Sequence, residues 1–302
     1  MTVRSGRRIG AFAALLTACL IWGAAFVVVR RALVDLPVFH LLTARFTLAA
    51  VLLLPLAWRD RGRWLDPAGL AVSAALFAGF VLQTYGLRSI TPSRSAFLTG
   101  LAVLMVPPVS WLLRTERPRL GPALGTLSAL AGLYVLYLPV TQRASGASAG
   151  FGLGDWLTVA GACAFACHLL LVDRAVKRMG PSRLAVVQCA VVALLSAPSL
   201  AIQPVQRVEL GPRALVAIAV TGVLATAAAF LFQFYAQQQL SATEVALILT
   251  LEPAFAAVFS IAAGAESYAW TLPAGGALIL LGMALAELRL PKLQRSARQG
   301  IG

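Results

Sequence analysis

The chain has 302 residues, 60% of them hydrophobic and 12% charged, with a mean hydropathy of +0.84. That composition leaves too few polar residues to clothe a soluble core and places the chain among multi-pass membrane proteins. A net charge of +14 and an isoelectric point near 11.1 would suggest a nucleic-acid partner in a soluble protein; here anionic lipid headgroups are the simpler counterpart, so membrane lipids are expected as partners and nucleic acid is not.

A hydrocarbon core about 30 Å thick takes roughly 20 apolar residues per helix. Ten segments meet that requirement: 9–29, 38–58, 67–87, 94–113, 120–140, 154–172, 183–202, 213–235, 242–264 and 269–288. The expected fold class is therefore an all-α integral membrane protein with ten transmembrane helices. The first span follows an Arg-rich stretch, but its apolar run from Ile9 to Val29 exceeds the roughly 7–15 residues of a signal-peptide core, and it is expected to remain as an uncleaved anchor. With the N-terminus in the cytoplasm, inside segments carry Arg4, Arg7 and Arg8; Arg59, Arg61 and Arg63; Arg114, Arg117 and Arg119; Arg174, Lys177, Arg178 and Arg183; and Arg289, Lys292, Arg295 and Arg298. Outside segments hold only Arg30, Arg31, Arg88, Arg94, Arg143, Arg207 and Arg213. Cytoplasmic loops carry the excess of Lys and Arg, so both termini are expected in the cytoplasm. Cys19, Cys163, Cys167 and Cys189 all fall within predicted spans, which argues against disulfides and zinc. Cys163 and Cys167, one turn apart, are expected to serve as small packing residues.

The stretch from the third span onward recurs at an offset of 150 residues without a gap. Phe80, Gln83, Tyr85, Ala96, Leu101, Glu116, Gly125, Leu130 and Gly132 return as Phe230, Gln233, Tyr235, Ala246, Leu251, Glu266, Gly275, Leu280 and Gly282. Upstream the offset shortens to 144, aligning Gly10, Cys19 and Arg30 with Gly154, Cys163 and Arg174, and to 143, aligning Arg45 with Gln188 and Pro55 with Pro198. The Gly-, Ser- and Ala-rich segment from Thr141 to Gly152 lacks apolar periodicity and reads as a flexible link. The expected divisions are a first five-helix repeat over 1–140, a linker over 141–153, a second five-helix repeat over 154–289 and a basic cytoplasmic tail over 290–302. Five spans are odd, so the second copy enters from the opposite side and the two are expected to be inverted repeats about an axis in the membrane plane. Gly121, Gly125, Gly132, Gly275, Gly276 and Gly282 are expected to let helix backbones approach closely, since lipid supplies no hydrophobic drive for association.

Ionisable groups at bilayer depth cost roughly 2.5–3.5 kcal/mol on insertion scales, which makes each a functional candidate. Glu252 lies about ten residues into the ninth span, directly before Pro253, whose missing N–H frees a carbonyl in the preceding turn. Desolvation at that depth penalises the charged carboxylate, the profile of a proton-coupling residue; a scaffold role at a helix kink is the alternative. Arg45, inside the second span, could attract an anionic substrate group, snorkel to the interface or pair with Glu252. Gln83 and Gln233 occupy matching positions of the two halves and could bond between helices or meet substrate. Tyr85 and Tyr235 sit near span ends, where aromatic belts account for them. His40 and His168 have no second ligand nearby in sequence, and Glu116 and Glu266 end the fourth and ninth spans as expected interface anchors. Walker-type phosphate loops, HExxH and Asp-rich diphosphate motifs are missing, so ATP-driven transport, a bound metal and a cofactor are not expected.

Trp22-Gly23-Ala24-Ala25-Phe26, Arg45-Phe46, the run Gln83-Thr84-Tyr85-Gly86-Leu87 leading into Ala96-Phe97-Leu98, and Leu251-Glu252-Pro253-Ala254-Phe255-Ala256-Ala257 followed by Glu266 resemble the EamA family of the drug/metabolite transporter superfamily. With the glycines of the tenth span, the resemblance covers nearly the whole chain. It implies a ten-helix carrier of the bacterial inner membrane, often an exporter of amino acids, metabolites or toxic compounds, with a central cavity between its repeats. One departure is internal: Val103 stands where the second half has Pro253, and Pro107 and Pro108 are expected to bend the fourth span nearer its cytoplasmic end.

The expected function is secondary transport of a small organic solute, outward and by alternating access, with proton coupling through Glu252. Trp22, Arg45, Gln83, Gln188, Gln233 and Glu252 are the candidate cavity residues. No enzymatic activity is expected, and a homodimer is among the assemblies open to the chain. The alternatives are a nucleotide-sugar or phosphorylated-metabolite exchanger, which would place several cations in the cavity, and an intramembrane lipid-modifying enzyme, which would need clustered carboxylates or histidines at one membrane face.

Overall fold

Proline placed just inside a capping residue starts many of the helices. Thr91 accepts from the Arg94 amide ahead of Pro92, and Asp66 accepts from the Ala68 amide at 2.9 Å ahead of Pro67. Ser241 and Glu244 form a reciprocal capping box. Each side chain satisfies N–H groups that a helix start leaves orphaned, and proline fits the first turn because it has no N–H to lose.

The computed structural model describes residues 3–60, 63–112, 120–142, 151–202 and 211–287, and among them every regular element is a helix. In chain order these are α1 (Val3–Ala32), α2 (Val38–Ala57), α3 (Pro67–Leu87), α4 (Pro92–Gly100), α5 (Ala102–Leu112), α6 (Leu120–Gln142), α7 (Leu153–Met179), α8 (Pro181–Ser196), α9 (Ser199–Ile202), α10 (Pro212–Val220), a π-helical segment (Thr221–Ala228), α11 (Ala229–Gln237), α12 (Ala242–Leu249), α13 (Glu252–Ala262) and α14 (Thr271–Glu287). Among the described residues, eight helices or continuous helical runs are long and apolar enough to cross a membrane, and Leu120–Leu136 and Pro273–Leu285 are shorter apolar helices. The protein is thus an all-helical, multi-pass membrane protein. Glu116, the cations Arg114, Arg117, Arg119, Arg143 and Arg207, most of the expected linker and the tail 290–302 lie outside the described residues.

The two sequence halves pack mainly on each other. α2 lies against α8, α6 against α14, α3 against α7 and α8, and α1 against the α10–α11 run and α12–α13. Small residues set the closest approach, as expected where van der Waals contact must hold helices together. A Cβ added to Gly132 would lie 2.6 Å from the Gly275 carbonyl oxygen, one on Gly275 the same 2.6 Å from that of Gly132, and one on Gly282 2.5 Å from that of Gly125. Gly125 and Gly132 are the repeat mates of Gly275 and Gly282, so the α6–α14 contact maps onto itself when the halves are exchanged, the mark of an isologous interface. Ser128 Oγ donates to the Leu278 carbonyl at 2.8 Å, joining two positions 150 residues apart at the centre of that crossing. Gly276, by contrast, has open space where a Cβ would be.

Two expectations need correction. α5 runs unbroken through Pro107 and Pro108, and the fourth span breaks earlier, at Leu101, whose amide bonds the Leu98 carbonyl at 3.3 Å in a tight turn. The ninth breaks at the equivalent place, Thr250 and Leu251, through similar tight turns to Leu247 and Ile248. Glycine at position 100 is a poor helix former, and the Pro253 ring occupies the space beside it, 3.2 Å from where a Cβ would stand. The two breaks therefore meet face to face. Second, Cys163 and Cys167 are exposed on α7 and do not pack between helices, because Thr158, Gly161, Ala162 and Phe165 form the face that meets α3. Cys19 and Cys189 are buried.

Candidate functional site: a cavity between the halves

A cavity of about 120 Å³ opens where the two broken helical runs meet, lined by α1, α2, α3 and α4–α5 of the first half and α7, α11 and α12–α13 of the second. One water occupies roughly 10–15 Å³ on the same measure, so there is room for a small organic solute. Most of the wall is apolar or aromatic, with polar side chains at Trp22, Arg45, Gln83, Thr84, Thr99, His168, Gln233 and Glu252. A mostly apolar concavity with a few convergent polar groups is the usual form of a small-molecule site.

Glu252 is the first residue of α13. Its position follows from the break: Pro253 fits a helix start but not an interior, so the chain begins a new helix there and the carboxylate enters the cavity at mid-run. Among the described residues no hydrogen bond or ion pair reaches the Glu252 side chain. α1 presses close beneath it, since a Cβ on Gly23 would lie 2.6 Å from Phe255 Cβ and 3.1 Å from the Glu252 carbonyl oxygen.

Arg45 is 3% exposed and its Nε donates to Thr226 Oγ1 at 3.0 Å. Its guanidinium carbon lies 4.9 Å from the Phe80 ring centroid and 5.2 Å from that of Phe46, a cation–π arrangement that offsets part of the cost of burial. It neither snorkels nor pairs with Glu252. Thr226 belongs to the π-helical segment, and Trp22 Nε1 donates to the carbonyl of Ala225 in the same segment at 2.8 Å. The wider π turn shifts the regular hydrogen-bond ladder and leaves backbone acceptors to side chains from other helices, which is why such segments recur at functional sites.

Gln83, Thr99, Gln233 and His168 are tied to the protein. Gln83 Nε2 donates to Thr99 Oγ1 at 2.8 Å, linking α3 to α4. Gln233 Nε2 donates to Gln237 Oε1 at 3.0 Å, and Gln237 Nε2 to the Leu169 carbonyl at 3.0 Å, linking α11 to α7. His168 Nε2 and Gln188 Oε1 share a bond of 3.1 Å, and Gln188 is fully buried behind the histidine. Phe80 packs edge-on against Phe165 at 5.3 Å and against its own repeat mate Phe230 at 6.3 Å, and Phe230 meets Trp22 at 5.6 Å. These rings form a connected aromatic stretch of the cavity wall beside Arg45.

Of the six residues expected to line a cavity, Trp22, Arg45, Gln83, Gln233 and Glu252 do so, and Gln188 stands behind the wall. Tyr85 and Tyr235 are 37% and 38% exposed on the outer surface. His40 is buried in α2, and among the described residues both of its ring nitrogens are unpartnered. Glu266 accepts from the Ser93 amide at 3.4 Å, in the first turn of α4. Sequence reasoning missed Thr226, Thr99 and His168 as parts of the site. His168 stands four residues before the expected end of the sixth span, but α7 continues to Met179, seven residues past that end, which brings the histidine to mid-helix. For Thr226 a signal existed: its repeat mate is Leu76, and a hydroxyl replacing leucine marks a departure between copies.

Of the ion pairs that join the halves away from the cavity, two occupy matching places. Arg8 of α1 pairs with Glu244 at the start of α12, and Arg94 at the start of α4 pairs with Asp155 at the start of α7. In both, one carboxylate oxygen meets the arginine and the other accepts its own helix's N-cap amide, from Ser241 at 2.7 Å and from Gly152 at 2.8 Å. Since α1 corresponds to α7 and α4 to α12, the pairs occupy equivalent places with their charges reversed. They differ in environment: side-chain exposure is 42% and 24% for Arg8 and Glu244, but 9% and 3% for Arg94 and Asp155.

Comparison with known proteins agrees with this architecture. The EamA-like transporter family matches residues 8–138 and again 152–288. An uncharacterized transporter of Archaeoglobus fulgidus is 31% identical over 284 residues, covering 94% of this chain and 88% of the relative. A second uncharacterized transporter of that organism is 23% identical over 278 residues, covering 89% and 94%. A solved crystal structure superposes with a TM-score of 0.75 at 21% identity, covering 92% of this chain and 96% of its own, and shows the same fold. A multi-pass helical bundle matched by one family in both of its halves, with the broken runs of those halves meeting at a shared cavity, belongs to the EamA-like transporter family.

Proposed function

We propose that the protein is a secondary carrier that exports a small organic solute across a bacterial inner membrane, by alternating access of the central cavity to the two faces. In this reading ten membrane-crossing runs form two inverted five-run halves, 1–140 and 154–289, and both termini are cytoplasmic. The exchange-symmetric contact of α6 with α14, the equivalent breaks in the α4–α5 and α12–α13 runs, and the reversed ion pairs support it, because each is what a pseudo-twofold axis in the membrane plane would produce. The observation that carries the function is the carboxylate of Glu252, unpartnered among the described residues and opening from a half-helix start into a cavity lined by both halves. A carboxylate there can take up and release a proton as the cavity changes the face it opens to, which ties solute movement to the proton gradient. Amino acids, other metabolites and cationic drugs are the solutes to screen.

The test is solute uptake into proteoliposomes with imposed pH gradients, comparing the wild type with Glu252→Gln. Coupling through Glu252 predicts loss of gradient-driven accumulation with solute exchange retained. Undiminished accumulation in the variant removes that role.

A further inference from the structure

We propose that the Arg45 end of the cavity is a subsite for the carboxylate of an organic monoanion, and that Thr226 is the residue that positions it. The proposal rests on the carrier reading of the cavity and names the class of solute it takes.

A guanidinium has five N–H donors. In Arg45 one of them, on Nε, is spent on Thr226, and among the described residues no other hydrogen bond and no carboxylate reaches the group. Four donors therefore remain on a side chain that lines the cavity and is itself 3% exposed. A buried cation without a counter-anion is costly, and the Phe46 and Phe80 rings supply only part of the compensation. An anion entering the cavity supplies the rest.

Thr226 determines which donors remain. Its hydroxyl donates to the Thr221 carbonyl at 2.8 Å, five residues back as the π-helical spacing requires, so the oxygen presents lone pairs to Nε. With Nε held, the two terminal nitrogens stay free as a fork, the geometry that grips a planar carboxylate through two parallel bonds. The π-helical segment is itself fixed against α2 at this residue, because a Cβ on Gly222 would lie 3.1 Å from the Arg45 carbonyl oxygen and 2.8 Å from Leu48 Cδ2. The arrangement exists in one half only: the repeat mates of Arg45 and Thr226 are Gln188 and Leu76. One anionic group per cavity follows. A phosphate dianion is disfavoured, since Arg45 is the single Lys or Arg among the described lining residues and Glu252 shares the same space. The surrounding Trp22, Phe80, Phe165 and Phe230 fit an aromatic or branched apolar body.

The test uses full-length protein in detergent at neutral pH, with benzoate as probe, benzamide as its uncharged isostere and inorganic phosphate as a second anion, read by thermal shift and intrinsic tryptophan fluorescence. Benzoate should protect the wild type, and the other two should not. Arg45→Gln should weaken benzoate binding by about 30-fold or more, Arg45→Lys, which keeps the charge but loses the fork, by about tenfold, and Thr226→Val by about three- to tenfold. Thr226→Ser, which restores only the hydroxyl, should return binding to within about twofold of wild type; a residue that merely filled space would not show that rescue. Protection by benzamide or phosphate equal to that by benzoate, no protection by benzoate at all, or unchanged affinity in Arg45→Lys and Thr226→Val overturns the proposal. Gradient-driven transport of some solute without benzoate binding would sink the subsite and leave the carrier standing, and benzoate binding without transport of any solute would do the reverse.

Discussion

Glu252 begins α13 with the positive end of a helix dipole behind it, and yet no described side chain donates to its carboxylate. A structural carboxylate at such depth would be tied to a neighbour, as Asp155 and Glu244 are by two bonds each. Removing its charge should accordingly cost function before stability: Glu252→Gln should unfold within a few degrees of the wild type in detergent while abolishing pH-driven accumulation. Gln188→Leu should behave in the opposite sense. It removes the only described partner of the buried His168 Nε2, which costs about 1–3 kcal/mol as an unsatisfied polar group, so the variant should lose thermal stability while its solute affinity changes by less. Five of the six expected cavity residues were legible because polar groups in apolar spans are rare enough to stand out. Thr226 was not, since a threonine within Thr221-Gly222-Val223-Leu224-Ala225-Thr226 is ordinary helix filler until a guanidinium 181 residues away is brought against it.

At the scale of elements, paired breaks rather than prolines organise the site. The α12–α13 break has Pro253 to enforce it, whereas the α4–α5 break has only Gly100 and the pressure of the Pro253 ring across the contact. Sequence alone points to Pro107 and Pro108 for the first-half bend, because proline is the strongest local breaker. In a membrane bundle neighbouring groups can re-satisfy what proline frees, so both sit inside α5. The glycine crossing of α6 with α14 gives an internally controlled prediction. Gly132→Val and Gly275→Val place methyl groups against each other's backbone positions and should each cost about 1–3 kcal/mol by overpacking, in near-equal measure because a Cβ on either would lie 2.6 Å from the other's carbonyl oxygen. Gly276→Val, one residue away and facing open space, should leave the apparent melting temperature within error.

Across the whole molecule, the reversed ion pairs tie each half's leading helix to the other half's fourth run. Breaking the buried one with Arg94→Ala leaves Asp155 desolvated and should cost about 3–5 kcal/mol, while Arg8→Ala, at a half-exposed pair, should cost about 1 kcal/mol or less. Thermal unfolding of the two variants in one detergent provides the comparison. The proposed arrangement also requires reporter fusions at the N- and C-termini to report the same, cytoplasmic side; opposite sides would rule out an even number of crossings. The amino-acid sequence by itself determined that this chain is a helical membrane protein with a duplicated core, since apolar run length and a fixed 150-residue offset are local or pairwise properties readable without coordinates. Only the tertiary structure decided which polar groups share a cavity, that Arg45 rests on Thr226 and two rings instead of on Glu252, and where the runs break. Those outcomes depend on packing between segments remote in the chain, where the cost of an unsatisfied donor or a displaced ring is settled by neighbours that periodicity and spacing do not identify.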